Sequence, residues 1–261
     1  MQVEFLLEEE SAEAALRQLV PQLLPGHLCR YRVFEGCRDL LEQLPRLLPA
    51  YYRRMQQPGQ HDLRLVVLLD ADSIPARRQE LLERQAAAAG LRSWRQAPAG
   101  APFQLLNCLA VQELEAWFLG DPAAMQAAYP RVRPHHFKGL PADPDTIADT
   151  WETLLRVLRK GNPLEAKAKI TWATAIAPHL MAGRNASGSF RYFCAGLAAL
   201  GQWRPAGLRA YTGMPTMPVQ QGTSSRNSSI SARVSSGAVR WAQWPGVSTT
   251  TSRLSGRCSC R

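Results

Sequence analysis

No apolar run in the 261-residue sequence approaches the roughly 20 residues that a membrane-spanning helix needs, so a helical bilayer span is not expected. A secretory leader is not expected either. Met1 to Glu10 carries acids where a signal peptide has bases, and its apolar part is short. The six cysteines form no C-x-x-C pair and have no histidine at zinc-finger spacing, so neither a structural zinc site nor a redox dithiol is expected. Buried free thiols suit a reducing compartment, and these absences together point to a cytoplasmic protein with no membrane partner. There is no Walker A loop, so any use of ATP has to come from another protein.

Acidic residues are absent from one whole region. From Arg204 to Arg261 the chain carries eight of its 31 basic residues, all of them arginine, and none of its 21 acids. The first 203 residues hold the other 23 bases and every acid, a net charge of only +2. The overall charge of +10 and the pI near 9.8 therefore belong to the terminal stretch and are weak evidence for nucleic-acid binding by the rest. Seventeen of those last 58 residues are Ser or Thr and nothing among them is periodic, so 204–261 reads as a disordered basic tail.

What is present is organised around Leu63 to Asp72. Five consecutive apolar residues, Leu65 to Leu69, run straight into Asp70 and Asp72. A short continuous run of this kind reads as a strand buried on both faces, the habit of parallel sheets. Ligands of open α/β sheets bind beyond the carboxyl ends of the strands, where these two acids fall. Spaced by two, they point to one side of an extended chain and are expected to reach one cation together.

On the N-terminal side, Val3–Leu7 and Leu28–Phe34 are strand candidates. Between them, Ala12–Leu24 has apolar residues at helical spacing and stops at Pro25-Gly26. Arg38–Met55 is helical but holds Pro45 and Pro49, which predicts a kink or two short helices. After Asp72 the pattern predicts a helix over Pro75–Ala89, a strand over Leu91–Gln96 and another over Phe103–Val111. Strand and helix alternate, so 1–120 is expected to be an α/β domain, a mostly parallel sheet flanked by helices. Beyond it, Asp121-Pro122, Asp143-Pro144 and Asn162-Pro163 each set a capping side chain before a proline at the first helical position. They predict helices near 122–128, 144–160 and 163–180, followed by one near 186–200. This C-terminal helical annex, 121–203, is expected to pack on the α/β domain.

Acids follow three of the strand candidates: Glu8 to Glu10, Asp70 and Asp72, and Glu113 and Glu115. If those strands are neighbours, the acids converge at one edge of the sheet. Crowded carboxylates repel one another unless a cation sits among them. Mg²⁺ or Mn²⁺ takes oxygen ligands, polarises a phosphoryl oxygen and lowers the pKa of a bound water. Taken singly, each cluster has a plainer reading as a helix-opening acid or a turn cap; the joint pattern favours the cation. Lys169 either steadies developing phosphate charge or lies on a solvated helix face. Arg184 and Arg191 either meet phosphates or serve the surface. Trp117 and Phe118 are expected to pack the annex on the sheet.

A resemblance sharpens this. The succession strand–Glu, helix, strand, helix, strand–D-x-D resembles the Toprim domain of topoisomerases, primases and overcoming-lysogenization-defect nucleases. Val3 to Glu13, Val66 to Asp72 and Ala110 to Asp121, together with Lys169-Ile170 and Asn185 to Phe193, are more closely similar to a Toprim-like family labelled domain of unknown function 4276. The E-x-E-A-W-F-L-G-D stretch is the most specific part, and the similarity covers about residues 1–203. The resemblance implies a Toprim-like Rossmannoid fold and a Mg²⁺- or Mn²⁺-dependent nuclease centre acting on nucleic acid. It also implies an ATPase partner encoded beside it in bacterial defence or mobile-element loci; homodimerisation is left open. Carried over by motif, Glu8 takes proton transfer and Asp70 and Asp72 hold the metal, with Glu113, Glu115 and Asp121 as candidates for a second ion or for holding the helix annex. Toprim glutamates are usually followed by Gly, whereas Glu9 follows Glu8 here, which leaves the register among Glu8, Glu9 and Glu10 open. The missing Gly also fits a catalytically inactive binding module for an ATPase or nucleic acid. A glycosyltransferase would need a different, nucleotide-binding first half. A haloacid-dehalogenase phosphatase would carry its D-x-D on the first strand.

Overall fold

The computed structural model describes residues 1–202, and within them the apolar runs become four strands: β1 (Gln2–Leu7), β2 (Leu28–Val33), β3 (Leu63–Asp70) and β4 (Leu105–Ala110). They form one parallel sheet in the order β2-β1-β3-β4. Every residue of β4, and every residue of β3 before Asp70, is buried, as a strand covered on both faces requires. Edge strand β2 instead alternates exposed and half-buried positions. The expected tail, 204–261, lies outside the described residues.

Helices α1 (Glu10–Leu23), α2 (Cys37–Met55) and α3 (Pro75–Ala88) connect the strands. Leu6, Leu65, Val67 and Leu69 pack against α2 and α3 on one face. Val3, Phe5, Leu7, Val66 and Leu68 face α1 and the C-terminal helices on the other. Those C-terminal elements are α4 (Glu115–Leu119), α5 (Pro122–Ala128), α6 (Thr150–Gly161), α7 (Lys169–Ile176) and α8 (Gly188–Gln202), with short 3₁₀ turns between them. The helices after 121 thus share a single apolar core with β1, β3, β4 and α1.

Several local expectations are corrected. Leu91–Gln96 is not a strand; it touches β4 through one isolated parallel bridge, Ser93 to Leu105, and then turns away. The helix expected over 144–160 is a 3₁₀ turn at Pro144–Thr146 followed by α6, and the one over 163–180 begins only at Lys169. Helix α2 runs unbroken over 19 residues despite its prolines. Pro45 is exposed, so the carbonyl it leaves without an amide partner lies on the solvent side of the helix.

Candidate functional site

Because β1, β3 and β4 are adjacent and parallel, their carboxyl ends fall on one rim. In β1, Leu6 faces α2 and α3 while Leu7 faces the annex. The same alternation carries Glu8 to the α2/α3 side and Glu9 to the annex side. Glu8 Oε2 accepts the backbone N–H of Asp70 at 2.9 Å, which ties the end of β1 to the end of β3. Its main-chain carbonyl accepts the N–H of Gly36 at 3.0 Å. Gly36 has φ +96°, a conformation only glycine adopts without strain.

Asp70 follows Leu68 on the annex side. There Lys169, the first residue of α7, sets its Nζ 3.4 Å from Glu115 Oε1 and 3.8 Å from both Glu9 Oε1 and Glu113 Oε1. Each acid is placed by a different element. Glu9 accepts the hydroxyl of Ser11 as α1 begins. Glu113 Oε2 accepts the Thr150 hydroxyl at 2.6 Å and the Trp151 N–H at 3.2 Å, so it sits against the positive N-terminus of α6. Glu115 opens α4, is 0 % exposed, and neither of its carboxylate oxygens meets a hydrogen-bond donor among the described residues.

Burial dominates the electrostatics of this basin. It raises Asp70 well above the usual carboxylate range, and the charges of Glu8, Glu9 and Glu115 add to the rise while Lys169 opposes it. Glu115 is pushed up to about 7 by burial, again against the pull of Lys169. Glu8 is raised by burial, a shift that the Asp70 N–H resists. The neighbouring acids more than offset the burial of Lys169, so its pKa is raised.

Asp72 does not join Asp70 in this basin. The strand ends at Asp70, and Asp72 adopts a left-handed backbone with φ +48°, which ends the alternation that would have aligned the two. Its side chain is 58 % exposed and pairs with Arg78 Nη2 at 2.8 Å, beside Cys37 and Glu8. Gln112, bridged to Asp72, is the other non-glycine residue with positive φ among those described. Strained backbone therefore gathers at the same strand ends as the acids, a frequent companion of functional sites.

Arg184 and Arg191 are also placed elsewhere. Arg184 Nε lies 2.8 and 2.9 Å from the two oxygens of buried Asp121, and its Nη2 donates to the His179 carbonyl. Arg191 donates to the carbonyls of Asn185 and Ala186. Both brace the annex rather than presenting free cations to a phosphate. Arg184→Ala should accordingly cost stability, by about 2 kcal/mol, because it strips a charged hydrogen bond from a buried carboxylate. Thermal denaturation checks this, and an unchanged melting temperature would refute it.

The motif residues that do not touch the basin form a clasp under it. Asn185 Nδ2 donates to the Trp117 carbonyl at 2.8 Å, and the N–H of Ala186 donates to the Gly120 carbonyl at 2.8 Å. Ser189 Oγ accepts Trp117 Nε1 at 2.9 Å, while Asp145 accepts from the Ser187 hydroxyl and the Ser189 N–H at the start of α8. Trp117 packs on Phe190 and Phe193. A model described as domain of unknown function (DUF4276) matches residues 7–198, well over half the chain.

The chain belongs to the DUF4276 family. Neither a curated protein nor a solved structure matches it. In this DUF4276 chain, the sequence left the register among Glu8, Glu9 and Glu10 open, and the alternation along β1 is what brings Glu9 rather than its neighbours to Lys169. Sequence reasoning did miss Thr150, which only the tertiary fold brings to Glu113 at the rim, and Asp145, which holds Ser187 and Ser189 in the clasp. Among the described residues no group of three or more His, Cys, Asp or Glu is arranged to hold a metal ion. The donor set still fits a hard divalent cation: the acids are oxygen donors, Glu115 has two buried oxygens without hydrogen bonds, and the place among them is taken by a cationic amine. No helix of the described residues is long and apolar enough to cross a membrane.

Proposed function

We propose that this DUF4276 protein is a Toprim-like, metal-dependent phosphodiesterase that cuts nucleic acid. The observation that carries the reading is the basin itself. Acids from the ends of three neighbouring parallel strands gather round one buried position, and Glu115 among them has no hydrogen-bond donor. Buried carboxylates held in excess over a single lysine favour a second positive charge. The motif resemblance to Toprim domains, rather than the geometry, brings in nucleic acid as substrate and an ATPase as partner.

In this reading Asp70, Glu113 and Glu115, with Glu9, hold Mg²⁺ or Mn²⁺. The bound ion supplies polarisation of a phosphoryl oxygen and a more acidic water. Glu8 is the proton-transfer residue. Its carboxylate is oriented by the Asp70 N–H, and burial lets it keep a proton to higher pH than a free glutamate, which suits a general acid or base. Asp72 contributes only by leaving its pair with Arg78.

The test is nicking of supercoiled plasmid, and cleavage of single-stranded RNA, by the full-length protein with Mg²⁺, Mn²⁺ or EDTA. Cleavage is expected only with a divalent ion, and Asp70→Asn or Glu115→Gln should each slow it by about tenfold or more without changing the circular-dichroism spectrum. Equal rates in EDTA, or variants as fast as the wild type, would overturn the proposal. One observation favours a second reading, an inactive binding module: Lys169 already supplies a positive charge inside the basin. That reading predicts no cleavage and unchanged partner binding in the same variants.

A further inference from the structure

We propose that the Lys169 ammonium is the resident counter-ion of the acidic basin and that a divalent cation binds by displacing it, so that this lysine sets the cation affinity of the site. The inference rests on the metal-site reading above and adds how the site is regulated. Its first support is distance. A structural ammonium–carboxylate pair closes to about 2.7–2.9 Å, whereas Nζ of Lys169 stands 3.4, 3.8 and 3.8 Å from three carboxylates. It makes no hydrogen bond among the described residues, and it is shared among acids rather than held by one.

The second support is Glu115. A fully buried carboxylate normally has its oxygens satisfied by donors. Both of its oxygens lack one, and Lys169 is its one ionic partner among the described residues. Such oxygens are left for a ligand with a larger coordination demand than a single amine at 3.4 Å.

The third is an exit. Lys169 is the first residue of α7, on a flexible four-carbon stem, and the chain from 162 to 168 that leads to it is irregular. An open cleft of about 560 Å³, lined by Glu8, Glu9, Phe34, Gly36, Lys169 and Ile170, lies beside the ammonium. The amine can swing into this cleft while an ion enters by the same opening. Once out, its charge is free to face a phosphate bound at the rim.

Calorimetric titration of Mn²⁺ into the full-length protein tests this without an activity readout. Lys169→Gln and Lys169→Met should bind Mn²⁺ about tenfold more tightly than the wild type, and Lys169→Arg, which keeps the charge, should not. Adding Asp70→Asn to Lys169→Gln should remove the gain, which places the ion in the basin. In thermal denaturation Lys169→Gln should melt lower than the wild type without Mn²⁺ and gain more from it. If Lys169→Gln is unfolded without metal, refolding on Mn²⁺ addition supports the inference and failure to refold opposes it. Equal or weaker binding by Lys169→Gln, with binding by the wild type intact, overturns this inference and leaves the metal reading standing. Absence of Mn²⁺ binding in both proteins overturns the two together.

Discussion

Gly120→Ala is expected to destabilise the protein by about 3 kcal/mol, a fall in melting temperature of about 6–12 °C for a domain of this size. The reason is crowding, not backbone conformation, since Gly120 has no positive φ. A Cβ at this position would run into Asn185 Oδ1, with Ser187 N at 3.0 Å and Asn185 Cγ at 3.1 Å. Asn185 cannot swing aside cheaply. Its Oδ1 accepts the Ser187 N–H and its Nδ2 donates to the Trp117 carbonyl, each at 2.8 Å, and the residue is 2 % exposed. Moving it leaves buried polar groups unpaired, which is the larger part of the cost. The clasp also carries Glu115, five residues earlier in the same short segment, so the variant should disturb the basin as well as the melting point. A variant within 1 °C of the wild type would show that the two motifs are not packed this tightly.

The same clasp explains what the sequence could and could not disclose. The strands were legible because a parallel sheet covered on both faces demands uninterrupted apolar runs. Leu65 to Leu69 carries that demand in its composition, and Leu105 to Ala110 does so but for Asn107, whose buried amide donates to Glu83. Leu91–Gln96 misled because Leu91 and Ser93 are buried while Arg92 is exposed, which imitates a half-buried strand although the chain meets β4 at a single bridge. The convergence of acids at one rim followed from topology alone. Once β1, β3 and β4 are neighbours, whatever follows each strand arrives at one edge. Which acids then face one another depends on single backbone angles. The left-handed turn at Asp72 sends it to Arg78, and the alternation of β1 puts Glu9 rather than Glu8 next to Lys169. Arg184 and Arg191 stayed undecided between phosphate and surface roles because their acceptors, Asp121 and the carbonyls of Asn185 and Ala186, are set by loop geometry that no periodicity announces.

In buffer without divalent cations the protein should be more stable at pH 5 than at pH 8, the reverse of the common acid lability. The Glu115 carboxyl ionises near the ordinary 4.5 in the unfolded chain and is pushed up to about 7 in the fold. Between those values the folded chain holds a proton that the unfolded chain has released. The unfolded state therefore binds fewer protons, and stability falls as pH rises through this window. A shift of that size corresponds to about 3 kcal/mol, or about 6–12 °C of melting temperature. Asp70, Glu8 and Asp145, all raised by burial, act in the same direction. Lys169 is raised from an ordinary value of 10.5, so its contribution is fully present from pH 5 to 8 and adds no slope. His136 opposes: its pKa is lowered from 6.5 by desolvation and neighbouring cations, so stability from that group grows as pH rises. Glu115→Gln should remove most of the slope, since it keeps the shape and abolishes the titration. Melting curves from pH 5 to 8 that stay level, or rise, would refute the assignment of Glu115 as a buried carboxyl without a donor. Mn²⁺ should flatten the wild-type curve for the same reason, because a bound cation keeps the acids ionised in the folded state and raises stability most where the unpaired charges cost most.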